Sequence, residues 1–150
     1  MKLAMGADHG GYSLKEILKK HLVEAGHEVL DLGTHDTSSC NYPDYAAKVA
    51  YAVADKEADL GILVCGTGIG MSIAANKHKG IRAACCENTF SARMTRMHND
   101  ANVLCFGARV VGEGLALDLV DAYLDAEFMG GKHQSRVDMI TAIETSEANA

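Results

Sequence analysis

A chain of 150 residues, 48% hydrophobic and 23% charged, has the length of one compact domain and the composition of an ordinary globular protein, with no apolar run near the roughly 20 residues of a membrane span. Aromatic residues reach only 5% with no Trp, which excludes a stacking surface for single-stranded nucleic acid. A formal net charge of −6 excludes the broad basic face of a nucleic-acid binder, so any anionic ligand must meet a local cationic pocket.

The opening MKLAMGADHGG reads directly as a first strand, residues 2–6, and lacks the long apolar stretch of a secretory leader. Ser13-Leu-Lys-Glu16 has the form of a capping box, and Leu14, Ile17, Leu18, His21, Leu22 and Ala25 follow at helical spacing until Gly26 closes the helix. Residues 28–32 form the second predicted strand. Pro43 opens a helix whose buried stripe is Ala46, Val49, Ala50 and Val53. Residues 60–65 are a strongly apolar third strand, followed by a glycine turn and a short helix to about Lys77. Residues 81–86 are the fourth strand, Asn88 caps a helix running to Met97, and residues 102–106 are the fifth strand. Leu115, Leu119, Val120, Tyr123 and Leu124 mark the next helix. A Gly130-Gly131 break precedes a last amphipathic helix with Val137, Ile140 and Ile143 on one face. No repeat or linker divides the chain, so residues 1–150 are expected to form a single domain.

Strand–helix alternation of this kind predicts an α/β fold with a parallel sheet and helices on both faces. Such sheets bind ligands outside the carboxyl ends of their strands. Asp8, His9, Cys65, Glu87 and Arg109 all fall at or just beyond the C-terminal end of a predicted strand.

The sharpest segment is Cys65-Gly-Thr-Gly-Ile-Gly-Met-Ser72 at a strand-to-helix turn. Gly66, Gly68 and Gly70 let the backbone approach a ligand and turn several N–H groups toward it. The helix that follows adds a positive dipole end, which favours a thiolate, and the same N–H groups can hold a developing enediolate oxygen. The alternative is a buried structural cysteine before a packing turn. A second rival is a dinucleotide-binding unit, since Glu87 stands 21 residues after Gly66. That fingerprint needs Gly or Ala in its sixth position, where this chain has Met71.

Asp8-His9-Gly-Gly11 can supply a carboxylate to move a proton between sugar oxygens and an imidazole to donate to phosphate or hydroxyl; the plain alternative is an Asp–Gly turn. His98-Asn99-Asp100 reads either as site residues or as a polar helix-ending loop. Lys77, His78 and Lys79 are partners for a helix C-terminus. Lys132, His133 and Arg136 open the final helix, where cations oppose the dipole unless an anion binds there; the alternative is a solvated charged turn. The five cysteines include no CxxC pair, which points to reduced thiols in a cytoplasmic protein and offers Cys65 no nearby redox partner. No HExxH motif or carboxylate cluster proposes a metal.

Taken together, GADHGG near the start, NYPDYA from Asn41, ILVCGTGIGMSIAANK from Ile62, GIRAA from Gly80, HNDANVLCFGARVVG from His98 and GGKHQSRVDMI from Gly130 resemble the sugar-phosphate isomerase family of type B ribose-5-phosphate isomerases and galactose-6-phosphate isomerase subunits. The resemblance covers nearly the whole chain. It implies a three-layer α/β/α sandwich on a five-stranded parallel, Rossmann-like sheet, with the C-terminal helix packed on a partner subunit of a homodimer or a dimer of dimers. It implies Cys65 as the base that moves a proton between C2 and C1, with Thr67 close to the thiol and Gly66, Thr67, Gly68, Ile69 and Gly70 around the enediolate. His98 of the neighbouring subunit would open the sugar ring, assisted by Asp8. His9, Arg109, Lys132 and Arg136 would hold phosphate, Asn99 a sugar hydroxyl, and Tyr42 would line the sugar end. Many type B relatives carry Arg where this chain has Lys132. The galactose-6-phosphate enzymes need two different subunits, so Cys65 and His98 together in one chain favour a self-sufficient enzyme. The expectation is a metal-free, cofactor-free isomerase of ribose 5-phosphate and ribulose 5-phosphate, with allose 6-phosphate as the alternative sugar and a nucleotide-binding module as the alternative class.

Overall fold

The computed structural model describes residues 1–148. Its strands are β1 (Lys2–Ala7), β2 (Glu28–Asp31), β3 (Leu60–Cys65), β4 (Ala83–Cys85) and β5 (Val103–Gly107), all parallel and paired in the order β2-β1-β3-β5-β4. Central β3 reads LGILVC without alternation and is buried at every position, as a parallel strand covered on both faces must be.

One face of the sheet is covered by α1 (Tyr12–Glu24), α4 (Thr89–Asn99) and α5 (Glu113–Leu124), which contribute Leu14, Leu18, Leu22, Ala92, Leu119 and Tyr123 to a core with Met5, Ile62 and Phe106. The other is covered by α2 (Tyr42–Ala54) and α3 (Ile69–Ala75), whose Ala46, Val49, Ala50, Val53, Met71 and Ala75 pack on Ala4, Leu63 and Cys105. Full burial of each Leu, Val or Ile here stabilises the fold by about 1.5–3 kcal/mol. The last helix, α6 (Lys132–Ala148), buries only His133 and Val137.

Several local expectations are corrected. The Ser13–Glu16 capping box is not made: the N-cap of α1 is Gly11, two residues before Ser13, with no side-chain cap. The Glu16 carboxylate instead accepts from Lys15 and Lys19. Lys15, outside the apolar stripe, is fully buried, with its Nζ 2.6 Å from Asp31. The fourth strand shortens to three residues because it lies at the sheet edge and pairs only with β5. Of the apolar face expected on α6, Val137 is buried while Ile140 and Ile143 stay exposed. Gly26 closes α1 as expected, with φ +89° and the Gly26 and His27 N–H groups donating to Val23 and Leu22 carbonyls. The Asn88 side chain caps α4 by accepting from the Ser91 N–H at 2.8 Å.

The strand order fixes where a ligand can sit. β1 leads into α1 on one face, and neighbouring β3 leads into α3 on the other, so a crevice opens between their carboxyl ends. β5, on the far side of β3, leads back to the first face through α5.

Candidate active site

Cys65 is the last residue of β3 and is 5% exposed. Its Sγ accepts the Gly68 N–H at 3.0 Å. The turn curls back over the thiol because Gly68 has φ +78°, and a Cβ there would lie 2.6 Å from the Phe106 backbone. Thr67 is exposed on the turn; its Oγ1 accepts the Ile69 N–H at 3.4 Å and its carbonyl lies 3.7 Å from Cys85 Sγ. Ile69, the first residue of α3, is half-exposed beside it. The Tyr42 ring closes one side, where a Cβ on Gly70 would meet it at 2.8 Å.

The turn after β1 forms the facing wall. Asp8 Oδ1 accepts the Gly10 and Gly11 N–H groups at 2.9 and 3.0 Å, so the Asp–Gly turn anticipated as the plain alternative does form. Oδ2 has no hydrogen-bond partner among the described residues, which leaves the carboxylate one free edge. The Cys40 N–H donates to His9 Nδ1 at 3.3 Å. A neutral His9 must then carry its proton on Nε2, which makes that nitrogen a donor. The Arg109 guanidinium lies across both turns, within 3.4 Å of where a Cβ on Gly66 would stand and 3.6 Å of one on Gly10. It has no ion pair among the described residues.

The remaining candidates gather elsewhere. His98 and Asn99 end α4, where Asp100 turns the chain at φ +46° and its carboxylate is gripped by Arg82 and Arg96. The Met129 N–H donates to the Met97 carbonyl at 3.0 Å, which brings the start of α6 against this end of α4. The His98 and His133 rings stack there, centroids 4.3 Å apart and planes 4° apart. Lys132 and Arg136 flank the stack, exposed and without ion pairs among the described residues. Glu144, further along α6, accepts the Gly80 N–H at 2.9 Å and fixes the helix's other end.

The two groups lie at opposite ends of the strands. Cys65 pairs with Gly107 at the carboxyl end of β5, whereas α4 delivers His98 next to the beginning of that strand, at Val103. Four steps at about 3.3 Å put these ends about 13 Å apart along the strand alone. Asp8, His9, Tyr42, Cys65, Gly66, Thr67, Gly68, Ile69, Gly70 and Arg109 thus share one mouth, while His98, Asn99, Lys132 and Arg136 form a second cluster that the chain does not bring to the first. A hollow of about 930 Å³ beside the second cluster, lined by Ile81, Ala83, Ala101, Ile140 and Ile143, is also remote from Cys65.

The dinucleotide reading fails on topology. β5 lies between β3 and β4, so Glu87 follows an edge strand that stands two places from β3 and its glycine turn instead of next to it. Met71 is wholly buried in the core. His78 Nδ1 lies 3.2 Å from the Ala74 carbonyl, a C-terminal partner of α3 as expected. Among the described residues, no group of three or more His, Cys, Asp or Glu converges as a metal centre requires, and no helix is long and apolar enough to cross a membrane.

Sequence reading missed Cys40, whose backbone sets the His9 tautomer, and the Arg82–Asp100–Arg96 clamp below His98. Neither has a motif. Both depend on contacts between segments distant in sequence.

Comparison with known proteins decides the family. The model of the Ribose/Galactose Isomerase family matches residues 3–140. The chain belongs to this family. Among Ribose/Galactose Isomerase relatives, ribose-5-phosphate isomerase B of Escherichia coli K12 is 57% identical over 143 residues, covering 95% of this chain and 96% of that protein. The structure of ribose-5-phosphate isomerase B from Clostridium thermocellum superposes with a TM-score of 0.97 at 56% identity, covering 98% of this chain and 99% of that one. A Mycoplasma genitalium ribose-5-phosphate isomerase B, solved with bound ribulose-5-phosphate, superposes with a TM-score of 0.92 at 41% identity, covering 96% of each chain.

Proposed function

We propose that this chain interconverts ribose 5-phosphate and ribulose 5-phosphate through a cis-enediol, with Cys65 as the base. The observation that carries the reading is the Cys65 thiol under the Gly68 N–H at the mouth between β1 and β3, in a chain matched over its length by ribose-5-phosphate isomerases B.

The phosphate is held by His9, Arg109, Lys132 and Arg136. His98 gives a proton to the ring oxygen while the O1 hydroxyl loses its own, with Asp8 serving these oxygens, and the open aldehyde results. The Cys65 thiolate removes the C2 proton. The electron pair of that C–H bond forms the C1–C2 double bond, and the carbonyl pair moves onto O1, facing the N–H groups of residues 66–70. O1 is protonated and the O2 hydroxyl deprotonated, a transfer suited to the free edge of Asp8. The carbonyl then forms at C2 as C1 takes the proton back from Cys65. No redox equivalent or metal enters this balance. Thr67 supports the turn, Asn99 binds a hydroxyl, and Tyr42 bounds the sugar end.

His98, Asn99, Lys132 and Arg136 reach Cys65 only if a second copy presents its α4–α6 corner to the β1–β3 mouth. The exposed Ile140 and Ile143, which line the hollow together with Lys79, Arg82 and Glu144, support such a twofold pairing. The test of substrate is kcat/KM for ribose 5-phosphate against allose 6-phosphate. A higher value for the ribose ester is expected, and a preference for the hexose ester contradicts the assignment.

A further inference from the structure

We propose that His133 is a positioning residue for His98, acting through the face of its ring, and that this stack is what aims the ring-opening histidine. The proposal rests on the reading of His98 as the ring-opening group.

A proton-transfer imidazole needs a fixed plane and at least one free ring nitrogen. Neither His98 nitrogen has a hydrogen-bond partner among the described residues, so no polar contact orients the ring within its own chain. What holds it is the flat face of His133, at 4.3 Å and 4° from parallel. The support is itself rigid. His133 is 8% exposed on the first turn of α6, and its N–H donates to the Gly130 carbonyl at 3.0 Å. α6 is fastened to α4 through Met129 and Met97, and to the α3–β4 loop through Glu144 and Gly80. Below His98, the Arg82 and Arg96 grip on Asp100 fixes the end of α4. Burial, the facing His98 and the cations of Lys132 and Arg136 all lower the His133 pKa, which favours the neutral form of the supporting ring. A neutral plate can face either charge state of His98 without adding a third positive charge to the phosphate-binding corner.

The experiment is a cycle of His133→Ala, His133→Phe, His98→Ala and His98→Ala/His133→Ala, assayed for ribose 5-phosphate isomerisation, with inorganic phosphate as competitive inhibitor. His133→Ala should lower kcat about tenfold while the phosphate inhibition constant stays within about twofold. His133→Phe, which keeps a flat ring but no nitrogen, should recover kcat to within about threefold of wild type. In the His98→Ala background, removing His133 should cost nothing further, because its effect passes through His98. Wild-type kcat in His133→Ala, a phenyl variant as slow as the alanine one, weakened phosphate inhibition, or additive losses in the double variant would each overturn the proposal. Thermal melts of the four variants exclude misfolding as the source of a loss. Failure of the parent reading looks different: His98→Ala would then retain wild-type activity by itself.

Discussion

The Gly68 N–H points at Cys65 Sγ from 3.0 Å, and this contact ties the conformation of the glycine turn to the position of the thiol. A sulfur held at the mouth by a backbone donor is placed to act as a base on a bound sugar. Cys65→Ala should therefore lower kcat at least about a hundredfold, the scale of a lost general base, while the dissociation constant of ribose 5-phosphate changes little. Turnover near wild type would remove Cys65 from the chemistry.

Gly68→Ala tests the turn without touching the thiol. An alanine at φ +78° costs about 1–2 kcal/mol in backbone strain, and its Cβ would press on the Phe106 backbone at 2.6 Å. The turn has to move, and the donor leaves Cys65. Activity should fall much further than the melting temperature, as a kcat assay beside thermal denaturation would reveal.

Arg136→Ala should weaken phosphorylated sugars about 10- to 100-fold, the range of one lost charge-assisted hydrogen bond, and leave unphosphorylated ribose unaffected. Equal losses for both would place Arg136 outside the phosphate site. Lys132→Arg is its companion: a guanidinium can grip phosphate with two parallel bonds, so affinity should hold or improve.

Much of this fold was legible in the chain. The apolar run of β3 and the glycine turn after it placed Cys65 correctly, because both signals are local. The β2-β1-β3-β5-β4 order was not legible, since strand order is decided by which helix covers which face. Lys15 shows the same limit from the other side. It lies outside the apolar stripe of α1, yet it is buried because Asp31, sixteen residues away, arrives to pair with it. At the site, the resemblance set His98 and Cys65 on different subunits, and within one chain they stand at opposite ends of the strands.

The Lys15–Asp31 pair yields a pH prediction. Burial would raise the Asp31 carboxyl, but hydrogen bonds from Lys15, Lys19 and the Gly33 N–H outweigh it and bring it from 3.8 to about 2. A depressed folded-state pKa stabilises the fold above the unfolded value, and that contribution disappears as pH falls from about 4 through about 2. Asp31→Asn should destabilise the protein by about 1–3 kcal/mol at neutral pH, since Lys15 keeps Glu16 as a partner. It should also flatten the acid limb between about pH 4 and pH 2. Denaturant melts across that range decide it, and an unchanged acid limb would contradict the assignment.

The central claim is that one site needs two chains, and subunit complementation tests it most directly. Cys65→Ala and His98→Ala homodimers should each be nearly inactive. Unfolded and refolded together in equal amounts, about half of the dimers should be mixed, each with one site intact in both residues and one lacking both. The mixture should regain about a quarter of wild-type activity. If His98 served the Cys65 of its own chain, no mixed dimer would hold an intact site, so heterodimers that form and remain inactive would contradict the account.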